Sequence, residues 1–165
     1  MKSFEGKVAA VTGAGSGIGR ALSLELARNR CHLALGDVDG TGLEGTATLC
    51  RPWGTRVTTT RLDVADRDAV YAWADAVARE HSRVNLVFNN AGVSLAGTLE
   101  GLGYDDLHWV MDVNYWGVVH GTKAFLPHLR ASGQGHVVNI SSVFGLMAVA
   151  GNGAYASLKR AEFRN

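Results

Sequence analysis

The sequence predicts an α/β fold in which a doubly wound parallel sheet is covered by helices on both faces. Short apolar segments alternate along the chain with segments of helical periodicity, a pattern that favours right-handed crossovers between parallel strands. Glycine is enriched, at 21 of 165 residues, and clusters where the first apolar segment ends. The length fits one domain spanning residues 1–165, or roughly five and a half βα units.

Each element follows from its own pattern. Strands are predicted at residues 7–12, 32–36, 56–62, 84–88 and 136–140. Helices are predicted around Ile18, Leu22 and Leu26, over residues 40–53 despite Gly42 and Gly45, around Val70, Trp73, Ala74 and Val77, from Leu107 to Leu129, and from about Ala154. A complete sheet of this Rossmann-like, three-layer type usually has six strands, so we expect it to be incomplete at its C-terminal end.

Composition excludes several classes of function. Sixteen Lys and Arg against fifteen Asp and Glu leave a net charge of +1, which argues against nucleic-acid and membrane partners. The first residues do not resemble a targeting peptide, and residues 131–158, which lack charged side chains, are interpreted as buried interior rather than a membrane span. Two cysteines fit a reducing, cytoplasmic location. The histidines form no metal-binding pattern, so we predict no metal.

A glycine-rich loop between the first strand and the first helix predicts a dinucleotide site. Residues 12–19 read TGAGSGIG, and bare backbone at a helix start can approach a diphosphate. The alternative is an ordinary glycine-rich turn. Asp37 ends the second strand, where a carboxylate can hold an adenosine ribose; its alternative role is to cap the next helix. A carboxylate there repels a 2′-phosphate, and Arg20 is interpreted as a surface residue, so we predict NAD over NADP.

Five features, in this order along the chain, resemble the short-chain dehydrogenase/reductase family. They are the loop at 12–19, Asn89-Asn90-Ala91-Gly92 after strand four, Asn114, Ser142, and Tyr155 with Lys159 four residues later. Each is unremarkable alone, as a turn, a cap or a surface pair, but together they are specific. The resemblance implies hydride transfer between a nicotinamide cofactor and an alcohol or ketone.

The resemblance also assigns roles to individual residues. Tyr155 would exchange the hydroxyl proton, Lys159 would hold the nicotinamide ribose, Ser142 would bind the substrate oxygen, and Asn114 would join a proton relay. Asn114 has independent support, because an amide in an apolar stripe needs a partner; the alternative is a satisfied helix asparagine. The residues expected to bind cofactor are Gly13, Ser16, Gly17, Ile18, Gly19, Asp37, Asp63, Val64, Asn90, Ala91, Gly92, Tyr155 and Lys159.

By the same resemblance, a charge-free stretch would form the substrate pocket. Its apolar residues are Phe144, Leu146, Met147 and Val149. They would form a dry wall suited to a hydrophobic alcohol or ketone, or else belong to ordinary core.

Two features depart from the family pattern. The sequence ends at Asn165, soon after Lys159, and Tyr155-Ala156-Ser157-Leu158-Lys159 differs from the usual Tyr-x-Ala-Ser-Lys order. One hypothesis is a deletion after Ser157, with Lys159 substituting for the usual lysine. The rival function is a truncated, catalytically silent dinucleotide-binding module. The related epimerase and dehydratase branch is disfavoured, because Gly13 and Gly17 are one residue further apart than that branch usually has.

Self-association is also expected. An incomplete sheet would leave strand five as an uncovered edge, and family members usually pair through the long helix that carries Asn114. The candidate contacts on that helix are Trp109, Trp116 and Phe125. We therefore predict a homodimer or homotetramer.

Overall fold

Five parallel strands form one twisted layer at the centre of the described structure. The computed structural model describes residues 3–98, 100–147, 151, 153, 155, 156 and 159. The strands are Val8–Thr12 (β1), His32–Asp37 (β2), Val57–Arg61 (β3), Leu86–Asn89 (β4) and His136–Asn139 (β5). Their spatial order is β3-β2-β1-β4-β5. The chain therefore changes direction across the sheet between β1 and β4, where ligands of open α/β sheets bind.

Helices cover both faces of this sheet. They are Gly17–Arg28 (α1), Gly40–Cys50 (α2), Arg67–His81 (α3), Tyr104–Met111 (α4) and Gly117–Ala131 (α5), with a π-helical segment, Asp112–Trp116, between the last two. Helices α1 and α2 supply side chains to one apolar core, and α3 and α5 to another. Further along the chain, Gly153, Tyr155, Ala156 and Lys159 have helical backbone.

Strand β1 shows how the two cores are separated. Val8 and Ala10 belong to the core beneath α3 and α5, whereas Ala9 and Val11 belong to the core beneath α1 and α2. Successive side chains of a strand point to opposite faces. A central strand with helices on both faces is therefore expected to be apolar on both sides, as this one is from Val8 to Val11.

The strands and the first four helices predicted from the sequence are confirmed, with two differences in detail. The second helix ends at Cys50 and continues as a 3-10 turn, Arg51–Trp53, because Pro52 cannot extend the α-helical hydrogen bonds. The long helix is interrupted by the π-helical segment around Asn114. The start predicted near Ala154 lies outside the described residues.

The prediction that residues 131–158 are buried is wrong for most of the part that the structure describes, although Gly145 and Ala156 are buried. The side chains of Val143, Leu146 and Met147 are 57%, 69% and 59% exposed. This segment follows β5 along the rim of the sheet, where no helix covers it within the described residues. These side chains are therefore not ordinary core; Val149 lies outside the described residues.

One predicted contact between copies is also wrong. Phe125 is fully buried and packs edge-on against Trp73, with ring centroids 5.1 Å apart. Its place on α5 is the inner face, since the apolar stripe of that helix points to the sheet. Trp109 and Trp116 are about half exposed, so only these two of the three residues could meet another molecule.

The described residues offer no membrane span, because none of their helices is both long and apolar enough to cross a bilayer. They also contain no group of three or more His, Cys, Asp or Glu that could bind a metal ion, and the absence of a metal stays a prediction. Burial raises the pKa of the Cys31 thiol to about 12 and that of Cys50 to about 11. Both thiols are therefore protonated near neutral pH.

His81, at the end of α3, makes stability depend on pH. Its Nε2 lies 3.0 Å from the Thr58 hydroxyl. Burial, together with the positive charge of Arg56 and the nearby His32, lowers the pKa of His81 from 6.5 to about 4. Between these two values the unfolded chain binds a proton that the folded chain excludes, so the free energy of unfolding falls as the pH drops.

We expect the wild-type protein to lose about 2 kcal/mol of stability between pH 7 and pH 5 through this one group. The measurement is urea unfolding at both pH values for wild type, His81→Gln and His136→Gln. Replacing His81 should remove this part of the pH dependence, whereas replacing the exposed His136 should retain it. An equal pH dependence in wild type and His81→Gln would contradict the assignment.

Candidate active site

The glycine-rich loop after β1 adopts a backbone that other residues would not tolerate. Gly13 and Gly17 have φ values of 65° and 48°, in the left-handed region. A Cβ on Gly13 would lie 2.8 Å from the Cα of Ala91, and one on Gly19 would overlap the Gly13 carbonyl oxygen. The loop is therefore packed backbone against backbone, which explains glycine at these positions.

Thr12 and Asn90 tie this loop to the turn after β4. The Thr12 hydroxyl accepts hydrogen bonds from the backbone N–H groups of Asn90 and Ala91, both at 3.0 Å. The Asn90 amide donates in return to the carbonyl oxygens of Thr12 at 2.9 Å and Gly13 at 3.1 Å. These four bonds fix the separation between the ends of β1 and β4.

Asp37 lies at the end of β2 with its carboxylate turned towards the same loop. One oxygen accepts from the Gly15 N–H at 2.7 Å and the other from the Asp39 N–H at 2.9 Å. The alternative role for Asp37, a cap on the next helix, is wrong. The cap of α2 is Asp39, whose carboxylate accepts from the Thr41 N–H.

Arg20 is not the surface residue that the sequence suggested. It is half-buried, and its guanidinium donates to the carbonyl oxygens of Gly15 and Gly42 and to the Thr46 hydroxyl. A helical pattern alone places this residue on the outer side of α1. The structure shows that α2 packs over that side, which leaves Arg20 half-buried.

A cavity of about 430 Å³ opens at the carboxyl edge of the sheet. Every cofactor-binding residue predicted between positions 13 and 92 contributes to its lining: Gly13, Ser16, Gly17, Ile18, Gly19, Asp37, Asp63, Val64, Asn90, Ala91 and Gly92. Val38, Leu62, Val93, Trp109 and Val113 complete it. The described lining contains no Lys, Arg or His; its charged side chains are Asp37 and Asp63.

Residues of α5 hold the Asp63–Val64 wall of the cavity in place. His120 Nδ1 lies 3.1 Å from the Val64 carbonyl oxygen, and the Asp63 carboxylate accepts from the Ala65 N–H at 2.9 Å. A Cβ on Gly117 would lie 2.8 Å from the Val64 side chain. The helix can therefore approach the wall closely only because glycine stands there.

Asn114 is fully buried at the centre of the π-helical segment. Its amide nitrogen donates to the carbonyl oxygens of Val93 and Val110, and its oxygen accepts from the Val93 N–H. The alternative interpretation of a satisfied helix asparagine therefore describes its side chain. Its part in a proton relay stays a prediction.

Lys159 is buried beside the ring of Tyr155. Its side chain is 4% exposed, and its ammonium donates to the Ile140 carbonyl oxygen at 3.2 Å and lies 5.8 Å from the centre of the Tyr155 ring. A Cβ on Gly92 would be 2.9 Å from the Asn114 amide oxygen and 3.8 Å from the Lys159 nitrogen. Two of the predicted site residues, Asn114 and Lys159, thus meet beside a third, Gly92.

Ser142 lies at the start of a short 3-10 turn, Val143–Gly145. Its hydroxyl accepts from the Phe144 N–H at 3.2 Å, and the Phe144 ring packs edge-on against Tyr155 with centroids 6.2 Å apart. The neighbouring Ser141 hydroxyl donates to the Lys159 carbonyl oxygen at 3.2 Å. Side-chain contacts thus join the segment that carries Ser142 to the residues around Tyr155.

Sequence reasoning missed three residues that organise the site: Thr12, Arg20 and Thr46. Thr12 had a usable signal, because a hydroxyl at the end of a buried strand needs a partner. Arg20 and Thr46 had none, since their roles depend on how α1 and α2 pack together. Such packing involves residues distant in sequence and leaves no short motif.

Comparison with known proteins places this geometry among dehydrogenases. Residues 7–162 match the family model for short chain dehydrogenases. The chain is 55% identical over 159 residues to SadH of Mycobacterium tuberculosis, named as an oxidoreductase, covering 96% of this chain and 58% of that protein. It is 38% identical over 157 residues to 1-deoxy-11-beta-hydroxypentalenate dehydrogenase of Streptomyces avermitilis, covering 93% of this chain and 58% of the relative.

Among solved structures, the chain resembles a short chain dehydrogenase/reductase from Burkholderia phymatum in complex with NAD. The TM-score is 0.96 at 40% identity, over 99% of this chain and 59% of that one. The chain therefore spans a little over half the length of the relatives it matches.

Proposed function

Since the chain belongs to the short-chain dehydrogenase family, we propose that it takes part in NAD-dependent interconversion of an alcohol and a ketone. One observation carries the proposal. A cavity lined by the glycine-rich loop, Asp37, Asp63–Val64 and 90–92 reaches Gly92, which also lies beside the buried Lys159. A dinucleotide site and a proton-transfer pair thus meet at one edge of the sheet.

The backbone at the start of α1 fits a diphosphate. Ser16 is the N-cap of the helix, but its side chain makes no capping hydrogen bond, which leaves the first N–H groups of α1 available to an anion. A Cβ on Gly17 would meet nothing within 4 Å, so the surface in front of this turn is open. We assign the diphosphate to Ser16–Gly19 and the adenosine ribose to Asp37.

The carboxylate of Asp37 supports NAD over NADP. At a distance of roughly 4 Å and an effective dielectric constant of about 20, each pair of like charges costs about 4 kcal/mol before screening. A 2′-phosphate beside Asp37 would meet this cost. Arg20, the basic residue nearest in sequence to the loop, already donates to Gly15, Gly42 and Thr46, which supports the proposal that it does not neutralise such a phosphate.

For the reaction itself, we assign proton transfer to the Tyr155 hydroxyl. The bound nicotinamide ring would supply the hydride acceptor or donor. Tyr155 takes the proton of the substrate hydroxyl during oxidation and returns it during reduction. The Lys159 ammonium, held by the Ile140 carbonyl against the Tyr155 ring, stabilises the negative charge that the phenol oxygen acquires. The Ser142 hydroxyl would orient the substrate oxygen.

The surface beside these groups supports a hydrophobic substrate. Val143, Leu146 and Met147 are exposed on the segment that follows Ser142. Exposed apolar side chains next to a site are favourable when a ligand covers them. We therefore propose a hydrophobic alcohol or ketone as the substrate, and a homo-oligomer and a cytoplasmic location remain predictions.

Replacing Asp37 with Ala tests the assignment of the cofactor. We expect wild type to bind NADH more tightly than NADPH, and Asp37→Ala to reduce that preference by about tenfold or more, or about 1.4 kcal/mol. The measurement is a fluorescence titration with each cofactor. Asp75→Ala, which removes an exposed carboxylate that pairs with His128 on α5, is the control and should leave the ratio unchanged. Equal binding of both cofactors by wild type would contradict the proposal.

Replacing Tyr155 with Phe tests the reaction against the rival of a silent binding module. Loss of the proton-transfer group should reduce NAD-dependent turnover of a panel of secondary alcohols about a thousandfold. The affinity for NADH should fall far less than turnover does, since the ring is retained and only an oxygen is removed. Tyr71→Phe, at an exposed position on α3, is the matched control. NADH binding without turnover in wild type would favour the silent module.

A further inference from the structure

Arg20 connects the glycine-rich loop to α2. From the first turn of α1, its Nη2 donates to the Gly15 carbonyl oxygen and lies 3.3 Å from the Gly42 carbonyl oxygen. Its Nε donates to the Thr46 hydroxyl at 3.0 Å. One guanidinium thus binds acceptors on the loop and on the neighbouring helix, and its planar donors hold them in a fixed geometry.

Thr46 completes the connection from α2. The residue is fully buried, and its hydroxyl lies 2.8 Å from the Ala14 carbonyl oxygen and 3.1 Å from that of Gly42. A hydroxyl has one hydrogen to donate, and the shorter distance favours Ala14. Thr46 therefore accepts from Arg20 and donates to the loop, which joins the three groups in one chain of hydrogen bonds.

These contacts fix both peptide groups of Gly15. The peptide between Ala14 and Gly15 is held at its N–H by Asp37 and at its carbonyl by Thr46. The next peptide, which carries the Ser16 N–H, is held at its carbonyl by Arg20. A donor to a carbonyl strengthens the N–H of the same peptide as a donor in turn. The network therefore acts on the Asp37 carboxylate and on the backbone in front of α1.

The close packing around the network leaves little freedom for another arrangement. A Cβ on Gly42 would lie 2.8 Å from the Gly15 carbonyl oxygen, and one on Gly15 would lie 2.9 Å from an Asp37 carboxylate oxygen. Glycine at both positions allows the loop and α2 to approach this closely. The polar groups buried there then require partners, which Arg20 and Thr46 supply.

We propose that Arg20 and Thr46 are positioning residues for the adenosine half of the cofactor. They act through Gly15, whose peptides orient the Asp37 carboxylate and the Ser16 N–H, and they do not themselves touch the cofactor. This inference rests on the proposed function, because it assigns the ligand of that site. Gly15, Ser16 and Asp37 therefore form an inner layer that faces the cofactor, and Arg20 and Thr46 form an outer layer behind it. The outer layer sets the affinity of the inner layer for the cofactor.

Paired substitutions at Thr46 separate hydrogen bonding from packing. Thr46→Val retains the shape and removes the hydroxyl, whereas Thr46→Ser retains the hydroxyl and removes a methyl group. We expect Thr46→Val and Arg20→Met each to weaken NADH binding about tenfold, and Thr46→Ser to stay within about twofold of wild type. Arg28→Met, the same change near the exposed end of α1, should bind as wild type does. The measurement is a NADH fluorescence titration, with thermal unfolding recorded for every variant.

A second measurement reads the network without any ligand. Arg20→Met and Thr46→Val should each speed exchange of the Gly15 amide hydrogen about tenfold or more, because the loop would open more often without these hydrogen bonds. Exchange in β1 should not change. Hydrogen exchange at Gly15 does not depend on cofactor binding. It therefore still tests the role of Arg20 and Thr46 if the wild-type protein fails to bind NADH. That failure would contradict the proposed function and not this inference.

Three results would overturn the inference. One is wild-type NADH affinity in both Arg20→Met and Thr46→Val. Another is unchanged exchange at Gly15 in both variants. The third is a larger loss of binding in Thr46→Ser than in Thr46→Val, which would show that the methyl group, and hence packing alone, determines the affinity. If Arg20→Met does not fold, the two Thr46 variants decide the question.

Discussion

The close approach of the Gly13 backbone to the turn at Asn90 and Ala91 is the contact on which the rest of the site depends. It brings together the ends of β1 and β4, where the sheet changes winding direction and the crevice opens. Thr12 and Asn90 hold this contact with four hydrogen bonds. Its direct consequence is the cavity that opens between the two loops.

Two charged side chains, Asp37 and Lys159, lie at this edge of the sheet. Asp37 is half-buried and accepts from two backbone N–H groups. Lys159 is almost fully buried against a backbone carbonyl and the Tyr155 ring. Burying a charge is costly, and neutral partners recover only part of that cost. We interpret the Asp37 carboxylate as a group kept ready for a ligand that supplies further interactions.

The fold was predictable because its signals are local. Continuous apolar strands, helical periodicity and glycine at strand ends each occupy a few adjacent residues. Predictions failed where burial depends on distant packing. Arg20 was predicted to be exposed on α1, but α2 packs over it. Phe125 was predicted to contact another copy, but it lies on the inner face of α5. Leu146 was predicted to be buried, but no described helix covers it. The same holds for the site. Its motifs could be recognised in the sequence, but the role of Thr46, which helps to position the glycine-rich loop, could not.

NMR of the labelled chain titrated with NAD⁺ tests most directly whether the carboxyl edge of β1, β2 and β4 binds a dinucleotide, as we propose. Backbone amide resonances of the glycine-rich loop, Asp37, Asp63–Val64 and Asn90–Gly92 should shift together along one binding curve. Resonances of the outer surface of α3 should stay in place. Saturating NAD⁺ that leaves these resonances unmoved, or shifts only residues remote from the cavity, would contradict the account.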